Sequence, residues 1–87
     1  MLSRCIWDLK GNIITSVRKE KGIELVCKGI ISHDEIFSQK VKTSVWISNN
    51  VLKNSPVSFK LLTTIHAKGR LVFNKLESYF LVERIIS

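Results

Sequence analysis

The sequence has one proline, Pro56, and only four glycines, isolated at positions 11, 22, 29 and 69. Without a run of glycines there is no Gly-rich loop to cradle a nucleotide phosphate. Cysteine is scarce too. Cys5 and Cys27 are too few for the disulfide framework of a small secreted domain, and they read as two reduced thiols acting as small hydrophobes, with a Cys5–Cys27 bridge as the minor alternative. His33 and His66 are the two histidines, and beyond the pair His33-Asp34 no cysteine or carboxylate stands near them at ligand spacing, so no metal or other cofactor is predicted. No Ser/His/Asp set is singled out by the chain, which reads as a binding protein and not an enzyme. No apolar run approaches the length of a membrane span. Met1-Leu2-Ser3-Arg4-Cys5, followed by Trp7, Asp8 and Lys10, has no apolar h-region, so the expectation is a cytoplasmic protein with no membrane partner.

Acidic residues are few relative to basic ones. Asp plus Glu is 7 against 14 for Lys plus Arg, a formal net charge of +7 on 87 residues, with a pI near 9.8. Such a field attracts polyanions. The bland alternative is solubility alone. A hydrophobic content of 45% argues against disorder. The length predicts a single domain over 1–87, with a core so small that oligomerisation is the natural support.

Turn signals at Gly11-Asn12, Lys19-Glu20-Lys21-Gly22, Ser32-His33-Asp34, Asn49-Asn50 and Asn54-Ser55-Pro56 separate runs rich in Val, Ile, Thr and aromatics. The runs predict five strands, at roughly 4–17, 22–31, 41–48, 63–73 and 78–86, the first bent near Gly11. A short helix or irregular link is expected within 49–62, and 34–39 reads as one helical turn capped by Asp34. Alternation sorts the faces. Val41, Thr43, Val45 and Ile47 oppose Lys42, Ser44, Trp46 and Ser48; Ile65, Ala67, Gly69, Leu71 and Phe73 oppose Thr64, His66, Lys68, Arg70 and Val72. In the second strand Ile23, Leu25 and Cys27 oppose Glu24, Val26 and Lys28, and the last strand is apolar on both sides. Tyr79 and Phe80 point opposite ways, so one is core and the other exposed. Trp7 shares a side with Leu9 and reads as core or interface, whereas Phe37 and Phe59 flank loops. The expected fold is all-β: a small five-stranded OB-like barrel, closed to remove exposed edges, with a short helix between strands three and four.

The polar faces of strands three and four carry the functional signal. If they contribute to one surface, Lys42, Trp46, His66, Lys68 and Arg70 lie together, cations for phosphates and an aromatic plane for bases. The competing reading packs Trp46 under a loop or into a dimer interface. Arg18, Lys19 and Lys21 form a basic, flexible loop between strands one and two that extends the same surface, and 74–77 forms a short second loop of little charge.

Thr64-Ile65-His66-Ala67-Lys68-Gly69-Arg70-Leu71-Val72, then Tyr79-Phe80-Leu81-Val82-Glu83-Arg84-Ile85, resembles the last two strands of bacterial-type single-stranded DNA-binding proteins. Val45-Trp46-Ile47 is similar to that family's tryptophan-bearing central strand, and the small size looks like the primosomal replication protein N family. The resemblance covers about half the chain. It implies a homodimer or homotetramer, no cofactor, weakly sequence-selective binding, stacking by Trp46 and backbone contacts by Lys68 and Arg70. The chain departs from the family in ending at Arg84-Ile85-Ile86-Ser87, without the acidic-tipped tail that recruits replication proteins, which suits a small accessory or mobile-element version. The expected function is non-catalytic binding of single-stranded DNA in replication, repair or mobile-element maintenance. Two alternatives stand beside it: an RNA-binding small barrel, and a protein-interaction or inhibitory module of a phage or plasmid that uses Trp7, Trp46 and Phe59 as anchors.

Overall fold

A computed structural model describes residues 6–33, 37–54, 64–73 and 75–86. Alternating apolar side chains shape these segments into β1 (Trp7–Lys19), β2 (Gly22–His33), β3 (Phe37–Ser48), a one-turn helix α1 (Asn49–Lys53), β4 (Thr64–Phe73) and β5 (Ser78–Ile85). The strands close into a barrel in the order β1-β2-β3-β5-β4, with β4 returning to β1. All pairings are antiparallel except β3 with β5. Closure leaves one dry interior, filled by alternate residues of every strand. Leu9, Leu25, Cys27, Val45, Ile47, Ala67 and Phe80 are almost wholly buried there. Burying a ring such as that of Phe80 contributes roughly 1.5–3 kcal/mol. Cys27 is a free thiol in this core, and burial pushes its pKa up to about 11.

Two irregularities let long strands curve round so small a core. In β1 the register slips between Ile13 and Thr15, so Ile14 is an extra residue and stands exposed. Gly11-Asn12 is therefore not a turn; the strand runs through it, and the irregularity lies three residues on. Gly11 pairs with Gly29, where β1 and β2 come very close. A Cβ on Gly11 would stand 2.7 Å from the Lys28 carbonyl oxygen, and one on Gly29 would collide with the Lys10 carbonyl oxygen. In β5 the slip is opposite Lys68 and Gly69: Lys68 pairs with Arg84 but Gly69 with Val82. The extra residue, Glu83, resets the parity, so Phe80, Val82 and Ile85 are all buried. That explains why β5 shows apolar residues on both sides in the sequence. Tyr79 stays half-buried outside, opposite in sense to Phe80.

Both barrel ends are closed by short pieces of chain. The Ser48 hydroxyl caps α1 by accepting from the Val51 amide at 3.4 Å, and Val51 and Leu52 pack against the core. At the other end Trp7 packs against the core and contacts the rings of His33 and Phe37, at centroid distances of 5.0 and 5.4 Å. β3 begins at Phe37, so 37–39 is strand and not the helical turn expected there; 34–36 lie outside the described residues. Cys5, Phe59 and Asn74 lie outside them as well. No helix among the described residues is long and apolar enough to cross a membrane.

Candidate nucleic-acid interface

The registers decide which outward side chains become neighbours. His66 on β4 pairs with Lys10 on β1, Lys10 with Ile30 on β2, and Ile30 with Lys40 on β3. In the adjacent row Thr64 pairs with Asn12, Asn12 with Lys28, and Lys28 with Lys42. Lys10, Lys28, Lys40 and Lys42 thus share one face across three strands, around an Ile30 that is 44% exposed. Three strands side by side make that face roughly 10 Å across between the outer axes. None of these four lysines is ion-paired among the described residues. Between β1, β2 and β3 runs a shallow groove of about 600 Å³ that includes Asn12, Lys28, Ile30, Lys40 and Lys42. At its margin Asp8 lies 3.8 Å from His66 and 4.0 Å from Lys68, tempering the Lys68 charge.

Trp46 occupies a different part of the outer surface. It is half-buried on β3, paired with Glu24 on one side and Leu81 on the other, and Leu81 in turn pairs with Arg70. A cleft of about 380 Å³ beside it is lined by Lys19, Glu24, Ser44, Val45, Trp46, Glu77 and Tyr79. Its cation is already matched by a carboxylate. Lys19 contacts Glu24 at 2.7 Å, and that hydrogen bond and charge raise the Lys19 pKa above its ordinary value. Arg70 pairs with Glu83.

The surface expected from strands three and four is therefore two surfaces. β3 pairs with β2 and β5, while β4 pairs with β1 and β5, so the two strands are not neighbours. Lys42, His66 and Lys68 belong to the lysine face or its margin; Trp46 and Arg70 lie on the other surface, with Lys19 in the cleft. Arg18 and Lys21 are exposed at the hairpin end. The basic loop between β1 and β2 is also shorter than expected. Arg18 and Lys19 are strand residues, and only Glu20-Lys21 makes the turn. It is held rather than loose: the Asn49 backbone amide donates to the Lys21 carbonyl at 3.0 Å, and its side-chain amide donates to the Glu20 carbonyl at 2.9 Å.

Lys10, Lys28, Lys40 and Tyr79 were not among the residues expected from the sequence. A signal for the first two was present. A two-residue turn at Glu20-Lys21 fixes the β1–β2 register, which sets Lys10 near Ile30 and Lys28 near Asn12 once the bulge is counted. Among the described residues no group of three or more His, Cys, Asp or Glu is positioned to hold a metal ion.

The chain resembles a small single-stranded DNA-binding protein from Mycoplasma pneumoniae, known from a crystal structure. The TM-score is 0.70 over 98% of this chain and 94% of that one, at 15% sequence identity. The two share a fold. At that identity the likeness is one of architecture, a small five-stranded OB-like barrel with a short helix between its third and fourth strands. No protein-family model matches the sequence, and no curated protein matches it.

Proposed function

We propose that this chain is a non-catalytic single-stranded DNA-binding module, and that the strand lies along the lysine face of β1, β2 and β3. The observation that carries the reading is the set of four lysines without an ion-pair partner among the described residues, Lys10, Lys28, Lys40 and Lys42, on one face around Ile30. Phosphates displace counterions by binding such cations, whereas cations already held by carboxylates contribute less. Lys68 and His66 extend the track at its β4 side. Trp46 lies farther along β3 from Lys42, four residues away and on the same outward side, or about 13 Å at strand rise. That distance lets a strand held by the lysines stack a base on the indole. The barrel likeness to a single-stranded DNA-binding protein supports the same reading.

In this reading the chain acts as a homodimer or homotetramer in replication, repair or mobile-element maintenance. On β1, Ile14 and Val17 are exposed and apolar, a surface suited to a second copy. Sedimentation equilibrium over a range of concentrations tests this; a monomer throughout rules the assembly out.

The function itself is tested by titrating the protein with oligo-dT at two salt concentrations, with duplex DNA and oligo-U as controls. Single-strand binding is expected to weaken with salt, with a log–log slope of roughly −3 for four phosphate contacts on a single strand. Stronger binding of oligo-U would make RNA the ligand. No binding of any strand at low salt rejects the nucleic-acid reading.

A further inference from the structure

We infer that Ile30 is the seat of a base on the lysine face and that it selects thymine over uracil through the 5-methyl group. The inference rests on the single-strand reading above and adds to it a chemical selectivity. Across the sheet Ile30 stands between Lys10 on β1 and Lys40 on β3. Each is a direct cross-strand neighbour, with its Cβ about 5 Å away. Along β2 the outward residues on either side of Ile30 are Lys28 and Ser32, each about 6.5 Å away at strand rise. A hydrocarbon side chain is thus ringed by polar ones, three of them lysines. Ile30 is exposed, whereas its chain neighbour Ile31 fills the core. It also borders both grooves of this face, the one that holds Lys28, Lys40 and Lys42 and a second, of about 460 Å³, that holds Lys10, His66 and Lys68.

That placement fixes which part of a strand meets it. Ile30 offers a phosphate neither charge nor hydrogen-bond donor, and the lysines around it offer both. Phosphates therefore settle on the lysines, and the nucleoside between two phosphates passes over Ile30. A hydrocarbon rewards a base only through the apolar area that it covers. Among the groups that distinguish the bases, the C5-methyl of thymine is the apolar one, and contact of an apolar side chain with it is an established form of readout. Uracil carries the same donors and acceptors as thymine and lacks that methyl. Lys10 and Lys40 contact phosphates in either case, so they do not discriminate between the two bases.

The test compares the dissociation constants of equal-length oligo-dT and oligo-dU, which share the deoxyribose backbone. The wild-type chain is expected to bind oligo-dT roughly fourfold more tightly, the scale of one buried methyl-sized group. In Ile30→Thr, which keeps the branched shape and replaces hydrocarbon with a hydroxyl, the ratio is expected to fall to near one. The change comes chiefly from weaker binding of oligo-dT, and the salt dependence stays as in the wild type. The position is on the barrel surface, and an unchanged far-UV CD spectrum and melting curve verify the fold. Equal or tighter binding of oligo-dU by the wild type, with a steep salt dependence, overturns the selectivity and leaves the single-strand reading intact. A preference for oligo-dT that survives Ile30→Thr unchanged also overturns it, because the methyl is then read elsewhere. Absence of binding to either oligomer overturns both readings.

Discussion

The lysine face and the Trp46 cleft are built from similar residues on one barrel, yet they differ in one respect that governs their chemistry. On the face of β1, β2 and β3 the cations stand without carboxylate partners among the described residues. Around Trp46 each cation has one: Lys19 has Glu24 and Arg70 has Glu83. Net charge alone does not predict where a polyanion binds. The useful quantity is charge that remains uncompensated once the fold has chosen neighbours, because a phosphate has to compete with any carboxylate already there.

The largest effect separates the two regions structurally. Gly29→Ala puts a methyl group into the Lys10 carbonyl oxygen, prying β1 from β2 directly beneath the lysine face. We expect a loss of stability on the order of 3 kcal/mol, as for severe overpacking, read as a lowered urea midpoint. An unchanged midpoint would mean that the two strands are not closely pinched there. Next comes the charge itself. Lys28→Glu with Lys42→Glu is expected to weaken oligo-dT binding by about a hundredfold at moderate salt and to flatten the salt slope by about 1.4, the value for two phosphate contacts on a single strand. If the slope is untouched, phosphates do not run over this face.

Trp46→Ala is expected to cost about 1–3 kcal/mol of binding, with the salt slope retained, since stacking is not ionic. Fluorescence quenching of the remaining Trp7 provides the contrast, because Trp7 packs against the core at a barrel end and is expected to respond little to the strand. The smallest effect is reserved for Arg70→Gln. With Glu83 already engaging the guanidinium, affinity is expected to fall by less than about twofold, as for a rim charge. A loss as large as that of the lysine pair would erase the distinction between the two regions.

Much of the barrel was legible before any coordinates. The alternation in 41–48 and 64–71 assigned the buried faces of β3 and β4 correctly, because period-2 patterning is a property of a single strand. The parity of β5 was not legible, since a bulge at Glu83 changes it and no local residue pattern marks that slip. The start of β3 was also missed: Phe37, Ser38, Gln39 and Lys40 are all exposed, so they lack the apolar alternation that announces a strand and form one because β2 supplies a hydrogen-bonding partner.

The candidate site divides along the same line. The sequence by itself determined the excess of positive charge, the outward sense of Lys42, Trp46, His66, Lys68 and Arg70, and the inward sense of most of the core. Only the tertiary structure decided that Lys42 joins Lys10, Lys28 and Lys40, that Trp46 joins Tyr79 and Glu24, and that Arg70 is taken up by Glu83. Which face a side chain occupies follows from its own strand. Which side chains it meets there follows from register, bulges and barrel closure, and these are set by contacts between residues far apart in the chain.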